Sequence, residues 1–176
     1  MNAPPQATAR FVIRKLLPEQ WQAYRAIRLR ALLEAPDAYG STLAREQALA
    51  PDTWAARVAK AAVSGIDCPL VAERAGEFVG LAWAKVDADD AGIVNLFQVW
   101  VAPEWRGQGM AGALLQAAIG WAEARGARAL QLGVNYANEA AVSLYARAGF
   151  VPVGAPYPMR EGTELLEQTM RLELSR

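Results

Sequence analysis

The chain has 176 residues, 53% hydrophobic and 20% charged, which suits one soluble globular domain with a substantial core and excludes a disordered chain. Lysine plus arginine equals aspartate plus glutamate at 18 each, so no basic excess is available for a nucleic-acid backbone, and no apolar run approaches the ~20 residues that span a bilayer. Histidine is absent and cysteine occurs once, at Cys68, which removes His-based acid–base catalysis, the serine triad, most zinc sites and any internal disulfide.

Met1 to Ala9 carry Pro4 and Pro5 but neither a basic nor an apolar signal segment, so residues 1–9 are expected to fray and the protein to be cytoplasmic. Arg10 to Leu16 reads as a first strand. Pro18 opens a helix in which Trp21, Tyr24, Ile27, Arg28, Ala31 and Leu32 recur at helical spacing, and which stops before Pro36. Arg25, Arg28 and Arg30 read as a solvated face. The polar turn-rich stretch Pro36 to Thr42 is a loop, and a second helix begins near Pro51 and ends at Ser64-Gly65. Pro69–Arg74 and Glu77–Val86 form a hairpin about Ala75-Gly76, with Cys68 as a small apolar residue rather than a nucleophile. Asp87 to Gly92 is an acidic turn without the spacing of a calcium loop.

Ile93 to Val101 is a strand stopped at Pro103, and a glycine-rich turn then leads into an apolar-faced helix from Met110 to Arg125. Strand, small-residue loop and helix start together present unpaired N–H groups and the positive end of a helix dipole, which suits a phosphate. A strand follows over Ala129–Val134 and a helix over Asn138–Ala148, then a strand over Phe150–Gly154. A loop over Ala155–Gly162 precedes a last strand over Leu165–Leu174. The order is β-α-α-β-β-β-α-β-α-β-β, with no repeat and no linker.

Gly107-Gln108-Gly109-Met110-Ala111-Gly112 matches G-x-G-x-x-G letter for letter. A dinucleotide fold would need the first glycine tight against its strand and an acidic residue about 20 positions on. Here Pro103 to Arg106 intervene, and the next strand runs into Asn135 with no carboxylate. A P-loop would need a terminal Gly-Lys-Ser/Thr, which is missing.

Arg106-x-x-Gly109-x-Ala111 instead resembles the Q/R-x-x-G-x-G/A signature of the GNAT superfamily of N-acetyltransferases, placed as there between a Val-x-Pro strand end and a long helix. Asn138 to Phe150 resembles that family's N-x-x-A-x-x-L-Y-x-x-x-G-F segment, and the element order agrees over nearly the whole chain. The resemblance implies one α/β domain over residues 10–176: a mixed, partly antiparallel central sheet flanked by helices. It implies acetyl transfer from acetyl-CoA to a primary amine by direct attack in a ternary complex, without a metal. The acceptor would be a small molecule or a peptide; nucleic acid and membrane are not expected as partners, and a homodimer stays open.

The same resemblance implies site residues. Gly107, Gln108, Gly109, Met110, Ala111 and Gly112 would present amides to the pyrophosphate, with Arg106 adding charge. Val99, Trp100 and Val101 would form the strand edge that pairs with the pantetheine arm and stabilises an oxyanion. Tyr145 would be the general acid at the sulfur. Asn138 caps its helix on physical grounds and in the family also contacts the cofactor. The strand glutamate that serves some members as base is missing: Leu132-Gly133-Val134 stands there. Glu46, Glu73 and Glu104 are the carboxylates considered in its place, Glu46 being best situated, and a water is an equal choice. Tyr39, Glu46 and Tyr157 are acceptor-side candidates. The missing glutamate also keeps open a catalytically silent CoA-binding or regulatory domain.

Overall fold

The computed structural model describes residues 11–175, so the expected frayed terminus lies outside them. Strand β1 (Val12–Lys15) leads to a 3-10 turn over Pro18–Gln20, in which the Gln20 side chain accepts from the Leu17 amide at 3.0 Å. Helix α1 (Trp21–Glu34) follows and buries Tyr24, Ile27, Arg28, Ala31 and Leu32, the i, i+3, i+4, i+7, i+8 stripe. A short helix α2 (Leu43–Gln47), started by Thr42 Oγ1 accepting from the Arg45 amide at 3.2 Å, divides the stretch read as unstructured before Pro51. Helix α3 (Pro51–Ser64) begins on a proline and ends at Gly65 in a left-handed conformation.

Strands β2 (Asp67–Arg74) and β3 (Glu77–Val86) turn at Ala75 and Gly76, both with positive φ. The acidic turn is held by Asp87 and Asp90: Asp87 Oδ1 accepts the amides of Asp89 and Asp90, and Asp90 pairs with Arg128. Strand β4 (Ile93–Val101) and helix α4 (Met110–Ala124) come next, then β5 (Ala129–Asn135), α5 (Glu139–Arg147), β6 (Val151–Pro158) and β7 (Leu166–Glu173). The strand expected to end at Gly154 continues to Pro158, past Pro156. β6 is the sheet's edge, where a missing N–H costs no ladder bond, and the strand resumes at Tyr157 after an irregularity.

The seven strands form one sheet in the order β1-β2-β3-β4-β5-β7-β6. Only β4 and β5 run parallel, joined by α4 as the crossover. One face packs on α1 and α3 through Tyr24, Trp54, Leu81, Trp83 and Trp100. The other packs on α4 through Met110, Leu114, Leu115 and Ala118, and continues to Tyr145 and Phe150. No helix among the described residues is long and apolar enough to cross a membrane.

Candidate functional site

The parallel pair β4–β5 is in register from Ile93↔Ala129 to Leu96↔Leu132, and there it stops. β4 bulges away against β3 beyond that point, and Gln98 takes φ 60, a left-handed conformation for a residue that is not glycine. The Tyr24 hydroxyl donates to Gln98 Oε1 at 2.6 Å and pins the bulge from α1. The two central strands therefore fork, and a cavity of about 820 Å³ occupies the opening.

After the bulge the main chain alternates in a fixed way. The Ala102 amide bonds to the Val79 carbonyl at 2.9 Å, so Ala102 and Trp100 aim their peptide groups at β3. Val99 and Val101 aim theirs away from β3, into the fork: the Val99 carbonyl accepts from the Tyr39 hydroxyl at 3.2 Å, and the Val101 carbonyl from Arg106 Nε at 3.0 Å. Trp100 does not reach the opening. Its ring is buried on the α1 face and Nε1 donates to Glu34 Oε2 at 2.8 Å.

Pro103–Trp105 forms a 3-10 turn beyond β4, and Gly107 and Gly109 then take φ of 78 and 80 before α4 begins. A Cβ on Gly107, Gly109 or Gly112 would meet nothing within 4 Å, so this loop is open on its outer side. The first helical bond of α4 runs from the Ala113 amide to the Gly109 carbonyl, which leaves the amides of Gly109 to Gly112 without intrahelical partners. No side chain caps them and no acid stands in the first turn. Met110 contributes only its backbone, since its side chain is buried; Gln108 is exposed.

On α5 the Asn138 side chain accepts from the Ala141 amide at 3.1 Å. Asn138, Ala141 and Tyr145 stand at i, i+3 and i+7, one helix face, and all three line the cavity. Tyr145 is 7% exposed and packs edge-on against Phe150 at 5.8 Å. Burial alone pushes its hydroxyl up to about 12, so it stays a proton donor at neutral pH.

The acceptor-side candidates meet at the other face of the fork. Tyr39 is buried with the Arg28 guanidinium 4.7 Å from its ring centre. Its carbonyl accepts from Arg160 at 2.9 Å, and Asn135 Nδ2 donates to the Asp37 carbonyl at 2.8 Å, so the loop before α2 is tied to both the end of β5 and the β6–β7 connection. Glu46 lines the cavity, but Arg28 Nε holds one oxygen at 2.8 Å and Arg57 the other at 3.5 Å. Tyr157 lies on β6 rather than in a loop and accepts from Thr169 Oγ1 at 3.4 Å. Glu73 and Glu104 lie elsewhere: Glu73 pairs with Arg14 on the β1–β2 edge, Glu104 with Arg30 on the surface.

Sequence reasoning missed four residues here. Arg28 belongs to the buried stripe of α1 and not to a solvated face; its spacing from Tyr24 and Ala31 is the signal. Asn135, Gln98 and Glu167 also line the cavity, and their placement depends on strand pairings that no local pattern reveals.

The model of the family described as Acetyltransferase (GNAT) matches residues 18–150. The mycothiol acetyltransferase of Thermobispora bispora is 42% identical over 85 residues, covering 46% of this chain and 29% of its own length. This chain spans less than half the length of the curated relatives it matches first. The acetyltransferase of the GNAT family from Streptococcus pneumoniae superposes with a TM-score of 0.82 at 26% identity, covering 94% of this chain and 100% of that one. The structure of yncA from Salmonella typhimurium with its cofactor acetyl-CoA superposes with a TM-score of 0.78 at 23% identity, covering 95% of each chain.

Proposed function

The chain belongs to the GNAT acetyltransferase family, and from that premise we propose that it moves the acetyl group of acetyl-CoA to a primary amine, by direct attack within a ternary complex. The observation that carries this reading is the fork itself: two parallel strands parted at Leu96/Leu132, with a glycine-opened helix start beyond one arm and a buried tyrosine facing the gap.

The residues fit the donor. Uncapped amides at Gly109 to Gly112, with open space above Gly107 and Gly109, suit a pyrophosphate at the positive end of α4. Val99 and Val101 turn a strand edge with no neighbouring strand towards the amide-bearing arm of the donor, their carbonyls held by Tyr39 and Arg106. When bound, acetyl-CoA supplies an activated acyl carbon and a thiol leaving group.

The protein's own groups supply the rest. An N–H of Val99 or Val101, preorganised by the Gln98 bulge, can accept the charge that develops on a carbonyl oxygen. Tyr145 holds a proton at Oη for the departing sulfur: burial keeps the hydroxyl neutral, and it donates a hydrogen bond to the thiolate, the form in which a thiol of pKa about 8.5 leaves. Direct attack is supported by the poor case for an imidazole or thiol acyl acceptor. The sequence has no histidine, and Cys68 is 1% exposed with its thiol pushed up by burial.

Thiol release from acetyl-CoA across a panel of primary amines, with mass detection of the N-acetyl product, tests the reading. Thermal stabilisation by CoA with no thiol release on any amine would favour a silent CoA-binding domain instead.

A further inference from the structure

β5 carries Gly133 at the first position beyond the last β4–β5 pair, the apex of the fork. Across the sheet, β7 pairs antiparallel with β5, Gly133 opposite Thr169 and Asn135 opposite Glu167. The Glu167 side chain does not stand over its own partner; it leans back along β5. A Cβ built on Gly133 would lie 2.0 Å from Glu167 Oε1, 2.5 Å from Cδ and 2.9 Å from Cγ. The carboxylate of β7 thus occupies the space that a side chain on β5 would fill, and glycine is the residue that permits it.

We propose that Glu167 is the general base of the acetyl transfer, delivered to the fork from β7 over Gly133, and that it receives the acceptor as a cationic primary amine. The inference rests on the acetyltransferase reading above. Glu167 lines the same cavity as Tyr145 and Tyr39. The other carboxylates there are committed: Glu46 to Arg28 and Arg57, and Asp67 to Trp83 Nε1 at 2.9 Å and Ser64 Oγ at 2.7 Å. Among the described residues no cation pairs with Glu167. The titratable group that faces it is the Tyr157 hydroxyl of β6, while β5 presents only Gly133 and Asn135. Burial raises its carboxyl above the ordinary glutamate range, the direction that suits a base.

The step balances without a further reactant. An N–H bond of the ammonium breaks and its proton passes to a Glu167 oxygen, from which it leaves to solvent through the open cavity. The freed lone pair forms the C–N bond as the C–S bond breaks. The sulfur leaves as a thiolate hydrogen-bonded by Tyr145, and the second proton lost by nitrogen passes to it.

Three variants test this. Glu167→Gln keeps the shape and is expected to lower kcat/KM for the amine about a hundredfold, to abolish the acidic limb of its pH profile, and to leave CoA affinity unchanged. Gly133→Ala expels the carboxylate and is expected to show the same loss. The double variant Gly133→Glu with Glu167→Gln, which returns a carboxylate to the apex from β5, is expected to recover at least tenfold over Glu167→Gln. In the ligand-free protein, carboxyl NMR is expected to find Glu167 titrating above the ordinary glutamate range. Wild-type kcat/KM with an intact acidic limb in Glu167→Gln would overturn the assignment while leaving the transferase reading in place. A wild-type protein that acetylates no amine would overturn both.

Discussion

Arg106 turns its guanidinium onto Glu34: Nη2 donates to Oε2 at 2.8 Å and Nη1 to Oε1 at 3.2 Å. The same carboxylate accepts from Trp100, and Arg106 Nε bonds the Val101 carbonyl. The arginine that the signature places beside a phosphate thus joins the end of α1 to the end of β4, and it positions the glycine loop from the side. The Arg106 guanidinium holds the Glu34 carboxyl below the usual range, so its contribution is full above the ordinary glutamate pKa and fades as pH falls through the depressed one. Arg106→Ala is expected to cost about 1 kcal/mol of stability, discounted for its exposure, and to weaken CoA binding by less than about fivefold, independently of salt. Calorimetric titration at two ionic strengths checks it; a loss that grows at low salt would assign Arg106 to the phosphate instead.

Gly109 is the left-handed cap of α4, with φ 80. An alanine there is strained by about 1 kcal/mol and sets a methyl in the open space above the helix amides. Gly109→Ala is expected to lower the melting temperature and to weaken CoA about tenfold by titration calorimetry. Gly120→Ala, within the same helix and with nothing near its Cβ, supplies the contrast. It is expected to stabilise by roughly 1 kcal/mol and to leave CoA affinity alone.

Glu46 sits between two guanidiniums, and Arg28 is 3% exposed. Removing the carboxylate strands a buried cation. Glu46→Ala is expected to lose about 3 kcal/mol in urea unfolding, with the pH dependence of the remaining activity unchanged. A shifted acidic limb in that variant would return Glu46 to the role of base.

Tyr145 has its folded-state hydroxyl raised to about 12 from an ordinary 10. The neutral form is the one the fold favours, so its contribution is complete below pH 10 and is lost as pH climbs from there towards 12. Unfolding at pH 7 and pH 11 is expected to show Tyr145→Phe less sensitive to alkali than the wild type, by roughly 1–2 kcal/mol at pH 11. Equal alkaline losses in both proteins would mean that the hydroxyl is solvated.

What was legible in the sequence was local. Ile93–Val101 coincides with the observed β4, because β-branched and aromatic residues stop at a proline; Asn138 caps α5 through its own side chain. Helix α2 has five residues, too few for a periodic pattern, and only its Thr42 cap marks it. Proline reads as a strand breaker until its place at the sheet edge is known, so spacing alone ends β6 at Gly154. Gln98 carries no local sign of a left-handed backbone, since the bulge is held by Tyr24, 74 residues earlier. β5 carries no glutamate, as its sequence reads, and Gly133 records only a missing side chain. Its occupant arrives through the β5–β7 pairing, which is beyond the reach of spacing along one chain.

The measurement that bears most directly on the account is the turnover of Tyr145→Phe beside the wild type, followed as thiol release with the best amine at saturating acetyl-CoA. The account predicts a kcat at least tenfold lower, about 1.4 kcal/mol or more of barrier, with CoA affinity and fold unchanged. An unchanged kcat would contradict it, and would leave the tyrosine as a packing partner of Phe150.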